Sequence, residues 1–113
     1  MELDMIDVGD DVMKLVLKGR LDAPGVDRIE TPFSAAAASG GRHAVVDLSG
    51  VTFAASMAIR LFISVGRAKA GRGRKFILYG AQPPVREVLD HAGLAELIPI
   101  VADEAAALRA AAG

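Results

Sequence analysis

Ala44, Val45, Val46 and Leu48 form a short apolar run inside the stretch His43 to Arg60, HAVVDLSGVTFAASMAIR. Apolar residues occupy both phases of the alternation, as in a strand covered on its two faces. Such cover requires layers above and below the strand. This run therefore restricts the chain, more than any other stretch does, to a sheet with helices packed on it. Ser49-Gly50 breaks the run, Val51, Thr52 and Phe53 resume it, and Ser56 stands just before a helical pattern beginning near Met57.

The flanking segments agree with that restriction. Glu2 to Val8 alternates weakly and reads as a short edge strand, Gly9-Asp10-Asp11 is a turn signal, and Val12 to Leu17 reads as a second strand, giving a hairpin. Lys18-Gly19-Arg20 is expected to end that strand. Asp22 is placed to cap a helix whose first turn holds Pro24. Over Val26 to Ser39 a stripe of Val26, Ile29, Phe33 and Ala36 or Ala37 fits a helix; Pro32 predicts a kink or break in it, and Gly40-Gly41 its end.

The central strand is expected over His43 to Leu48 and the next helix over Met57 to Ala70. Ala58, Leu61, Phe62 and Val65 share its inner side, Arg60, Ser64 and Arg67 its outer side, and Ile59 and Ile63 fall at the edge between them. Lys75 to Tyr79 reads as a strand, and Pro84 to Ala92 as a helix stopped by Gly93. Leu97 to Val101 reads as an edge strand because it carries Pro99, and Glu104 to Ala112 as a helix capped by Asp103. The order β-β-α-β-α-β-α-β-α predicts an α/β fold: one mixed sheet of about five strands, the first two a hairpin and the later ones largely parallel, with about four helices mainly on one face.

Composition excludes several functions. The chain has 113 residues and no cysteine, so it holds no disulfide, thiol nucleophile or thiolate metal site. Thirteen basic residues against 14 acidic ones, net charge −1, argue against direct nucleic-acid binding. No apolar run is long enough to span a membrane. The acidic start MELDMIDVGDD is unlike a signal peptide, and a cytoplasmic location is expected. His43 and His91 stand far apart without companions at ligand spacing, so neither metal nor cofactor is expected.

Ser56 is the residue with the most chemistry open to it. A serine before a helix is a favoured cap, its oxygen accepting from a backbone N–H one turn in. The same hydroxyl could instead accept a phosphate, which the free N–H groups and dipole of a helix start would favour. Both readings stand on the spacing alone. Asp22 and Asp47 have no base or nucleophile beside them to make a catalytic pair. Arg60, Arg67, Lys69, Arg72, Arg74 and Lys75 read as a solvated face or as an electrostatic docking surface.

Several motifs together resemble the STAS domain, the fold of anti-sigma-factor antagonists. Gly19-Arg-Leu-Asp22 resembles the family's Gly-x-Leu/Ile-Asp, and Val46-Asp-Leu-Ser49 its Val/Leu-Asp-Leu/Phe-Ser. Asp47 to Ser56 followed by an amphipathic helix, Gly80 to Asp90, Ala92 to Leu97 and Asp103-Glu104 follow in the family's order. The resemblance implies a single STAS domain over residues 1–113, without enzymatic activity, that binds an anti-sigma factor with serine kinase activity. That kinase phosphorylates the first Ser of Asp-Ser-Ser/Thr-Gly-Leu/Ile. Ser56 occupies this place and Ile59 fits the Leu/Ile position, while Ala55, Met57 and Ala58 replace Asp, Ser/Thr and Gly, and Arg60 a small residue. The implied partner surface comprises Asp22, Ala55, Met57, Ile59, Arg60, Ile63 and Arg67. The family also includes non-phosphorylated subunits bound to the ATPase of lipid-transport ABC systems, a second implied role.

Overall fold

In a computed structural model, residues 1–39 and 41–112 are described. The elements are β1 (Glu2–Val8), β2 (Val12–Leu21), α1 (Ala23–Ser39), β3 (His43–Ala54), α2 (Ser56–Gly71), β4 (Phe76–Tyr79), α3 (Pro83–His91), a 3-10 turn (Leu94–Glu96), β5 (Ile100–Val101) and α4 (Glu104–Ala112). The sheet has five strands in the order β1-β2-β3-β4-β5. β1 and β2 are antiparallel, and every later pair is parallel.

Strand order equals chain order, and this fixes the layers. Each parallel step is bridged by one helix, and right-handed crossovers that advance in one direction all fall on one face. α1, α2 and α3 lie there, over Leu15, Leu17, Val46, Leu48 and Leu78. Val26, Ile29, Phe33 and Ala37 are the inward stripe of α1, and Ala58, Leu61, Phe62 and Val65 that of α2. Phe33, Phe62 and Phe76 meet at ring separations of 6.0 to 6.3 Å. α4 returns to the opposite face, where Ala107 and Ala111 cover Val45, Ile77 and Tyr79. The central strand is thus buried on both sides, as its apolar run predicts. Glu104 anchors the start of α4 by accepting from the Lys14 ammonium and from the Tyr79 hydroxyl.

Four expectations are corrected. β2 does not end at Lys18 but runs to Leu21, with Gly19 at φ 115. β3 is continuous through Ser49-Gly50 because two register shifts against β2 absorb the irregularity as bulges. α1 is not broken at Pro32 but runs on to Ser39: Pro32 lies on the exposed side, where water can serve the carbonyl it leaves unpaired. The last strand is only two residues long, since Leu94–Glu96 forms the 3-10 turn and Leu97 and Pro99 lie outside any strand. In the Gly40-Gly41 terminator of α1, Gly40 lies outside the described residues. Asp22 and Asp103 cap as expected, accepting from the Gly25 and Ala106 N–H groups at 2.9 Å.

Candidate functional site

The pairing of Leu21 with Ala54 builds the site. It brings the ends of β2 and β3 side by side, so the Asp22 turn and the start of α2 leave the sheet at one place. The Ala55 N–H donates to the Leu21 carbonyl at 3.0 Å and locks the two chain segments together.

Asp22 faces two ways in this turn. One oxygen accepts from Gly25 and the other from the Arg20 guanidinium at 3.2 Å. The Gly25 N–H is the largest influence and holds its carboxyl below the usual range; desolvation opposes it next, and the Arg20 bond and charge add to the lowering. Gly25 is required by space. A Cβ there would stand 2.0 Å from the Arg20 carbonyl oxygen. The Arg20 guanidinium also lies over the Phe53 ring, 4.4 Å from its centroid, and Phe53 is 39% exposed. Phe53 escapes a reading by alternation because a bulge lies between Gly19 and Arg20 in the pairing register, so the two-residue period does not carry through.

Ser56 is not the cap of α2. The cap position is Ala55, with extended backbone and no side-chain bond, and Ser56 is the first helical residue. Its side chain is exposed and its hydroxyl makes no hydrogen bond among the described residues. The Ala58 N–H donates to the Ala55 carbonyl at 3.0 Å, the N–H groups of Ser56 and Met57 come too early in α2 for an intrahelical acceptor, and no acidic residue occupies its first turn. Arg60 follows one turn later on the same side.

Beyond Ser56, α2 presents a mixed ridge. Arg60, Ile63, Ser64 and Arg67 border a shallow hollow on its outer side. Met57, Arg60 and Ser64 also line a groove shared with Val26, Glu30 and Ser34 of α1. Ile59, expected on this surface, is 9% exposed and packs in the main core, which removes it from the exposed ridge. A helix turning into a sheet that twists beneath it buries a wider arc than the four-residue stripe suggests.

Lys69 also departs from expectation. It is 1% exposed, and its ammonium donates to the Arg42 carbonyl. Burial first, then the charges of Arg72, Arg42 and Arg74, lower its pKa. The Arg74 guanidinium donates to the Gly41 carbonyl and the Lys75 ammonium to the Ala110 carbonyl. Arg60, Arg67 and Arg72 remain exposed. Asp47 accepts from the N–H and hydroxyl of Ser49 within β3, so the two carboxylates are engaged separately, Asp22 in its turn and Asp47 along the strand. No described helix is long and apolar enough to cross a membrane.

The family model described as Mlab, STAS domain matches residues 5–101. Comparison with curated proteins gives no match. Among solved structures, an anti-sigma-factor antagonist (STAS) domain protein from Planctomyces limnophilus is 24% identical, with 98% of each chain covered and a TM-score of 0.86. An anti-sigma factor antagonist from Mycobacterium paratuberculosis is 22% identical over 99% of this chain and 96% of that one, with a TM-score of 0.85. The Bacillus cell fate determinant SpoIIAA in its phosphorylated form is 22% identical over 96% of this chain and 99% of that one, with a TM-score of 0.71. At these identities the likeness is one of fold.

Proposed function

The chain belongs to the STAS domain family, and on that premise we propose that it works as a non-enzymatic protein-interaction switch of the anti-sigma-factor-antagonist kind. Residues 1–113 act as one domain in the cytoplasm. The partner is an anti-sigma factor with serine kinase activity, and Ser56 accepts the phosphate. The contact surface is the Asp22 turn, Ala55, Ser56, Met57 and the outer residues Arg60, Ile63 and Arg67 of α2.

One observation carries this reading: the Ser56 hydroxyl is exposed, at the first position of α2, and bonded to nothing among the described residues. It does no capping work, so helix stability gives no reason for a serine there. A phosphate on it would lie at the positive end of the helix dipole, one turn from Arg60. It would add about −1.5 to −2 charges at neutral pH. The local surface would change from basic and apolar to acidic, and a partner fitted to the unmodified surface would be released.

The test is a pull-down of the candidate kinase with wild type, Ser56→Ala and Ser56→Asp, beside a phosphate-affinity gel after incubation with kinase and ATP. The proposal expects capture by wild type and Ser56→Ala, loss with Ser56→Asp, and a gel shift in wild type alone. Binding indifferent to Ser56→Asp, with no gel shift, would remove the switch.

A second reading has its own support. Ala55 and Ala58 stand where phosphorylated members keep Asp and Gly, and the matching family model is described as Mlab, STAS domain. In this reading the same surface packs permanently on the ATPase of a lipid-transport ABC system, without phosphorylation. Co-purification with such an ATPase, unaffected by phosphatase treatment, would favour it.

A further inference from the structure

At the far end of α2 from Ser56 a groove runs between the helix and the segment joining the 3-10 turn to β5. Ile63, Gly66, Arg67 and Ala70 form its helical wall, and Leu97 and Ile98 the other. The groove continues past Gly66 and Ala70 toward Arg74, Lys75 and Pro99. Ile98 is buried beneath it, whereas Leu97 stands 62% exposed, the most exposed large apolar side chain described.

We propose that this groove receives the apolar side of an acidic amphipathic helix from a protein partner. The shape argues for a helix. Ile63, Gly66, Arg67 and Ala70 recur at i, i+3, i+4 and i+7, the spacing of one helix face, and the wall they make is about 10 Å long, two turns of a docked helix. Gly66 keeps the floor low: a Cβ there would stand 3.2 Å from two carbons of Ile98. With Gly66 and Ala70 both small, a partner helix can approach closely and set its apolar residues against Leu97 and Ile63.

The charge argues for acidic flanks on that helix. Residues 48 to 86 contain no Asp or Glu, while exposed Arg67 stands at one end of the groove and exposed Arg74, its Nε held by the Gly41 carbonyl, at the other; Lys75 lines that end too but carries its ammonium away to the Ala110 carbonyl. Glu96, beside Leu97, is the nearest acid in sequence. An acidic helix gains from these cations, and a basic one is repelled. The groove shares Ile63 and Arg67 with the ridge leading from Ser56 but depends on no phosphorylation.

Fluorescence anisotropy tests this with two labelled helical peptides of roughly 16 residues, carrying leucines at the same i, i+3, i+7 positions, one with glutamates and one with lysines on its flanks. The acidic peptide is expected to bind and the basic one not. Leu97→Ser and Ala70→Glu, both at exposed positions, are expected to weaken binding at least about tenfold with unchanged melting. Ser56→Ala is expected to bind like wild type, even if the kinase experiment fails. No binding of the acidic peptide, equal binding of both, or binding indifferent to Leu97→Ser overturns the proposal. So does Leu97-dependent capture by phosphatidylglycerol vesicles, which would assign the groove to a membrane surface. A concentration-dependent dimer abolished by Leu97→Ser, with no peptide binding, would assign it to a second copy and overturn it as well.

Discussion

Gly25→Ala sets helix propensity against packing at one atom. Gly25 is the third residue of α1, and by propensity alone alanine in a helix interior stabilises by about 1 kcal/mol over glycine. The structure requires the opposite sign. The added Cβ would stand 2.0 Å from the Arg20 carbonyl oxygen and 3.1 Å from a carboxylate oxygen of Asp22, whereas carbon–oxygen contacts ordinarily settle near ~3.3 Å or beyond. More than an ångström of separation must be found between backbone and backbone, since the obstructing atom is no flexible side-chain end. Overpacking of this kind costs typically about 1–3 kcal/mol, and moving the start of α1 also stretches the Asp22–Gly25 bond. After the propensity gain, the net is a destabilisation of about 1–2 kcal/mol, or a melting point lower by roughly 5–10 °C for a domain of this size. Thermal and urea unfolding would measure it. Gly71→Ala is the control: Gly71 ends α2 with nothing within 4 Å of its would-be Cβ, and a gain of about 0.4–1 kcal/mol is expected there. A Gly25→Ala protein as stable as wild type would refute the close approach and, with it, the described path of the Arg20–Asp22 turn.

Phe62→Ala empties the centre of the three-ring cluster and should cost about 3–5 kcal/mol in urea unfolding; a cost below about 1 kcal/mol would mean the core is not packed as described. His43 is half-buried, with its Nδ1 accepting from the Lys75 N–H, and burial first, then Arg74 and Lys75, lower its pKa from 6.5. Its stabilisation is therefore complete above 6.5 and declines as pH falls toward the lowered folded value, so urea midpoints should drop over that window and drop less in His43→Gln. Glu104 has its carboxyl pKa lowered by the Lys14 bond first and the Tyr79 bond second; stability should fall as pH drops below 4.5 through the folded value, with a smaller fall in Glu104→Gln.

The layered order was legible because each element has its own apolar period: two for the hairpin, 3.6 for the helices, and a continuous run for the strand buried on both faces. Asp22 and Asp103 were legible as caps because a carboxylate reaches an N–H three residues on without help from the rest of the fold. The continuity of β3 was not, because Ser49-Gly50 marks a break and a bulge alike, and only the register against the neighbouring strand tells which it is. Lys69 misled for another reason: its position on α2 is inward, where its ammonium meets the Arg42 carbonyl, brought from the segment before β3. Ile59 was assigned to the rim by a stripe narrower than the arc the sheet covers. The nearness of Asp22 to Ser56 depends on the pairing of Leu21 with Ala54, a contact across more than thirty residues that no local pattern encodes.

The identity of strand order and chain order bears on synthesis. As the polypeptide leaves the ribosome, the hairpin of β1 and β2 comes out before the other elements of this sheet, and each following helix and strand meets an edge already in place. No strand has to wait for a partner still to be translated, and no later strand has to be inserted between two that have already paired. Growth by addition at one edge keeps the unpaired surface to a single moving front, which the short β5 and the returning α4 finally close.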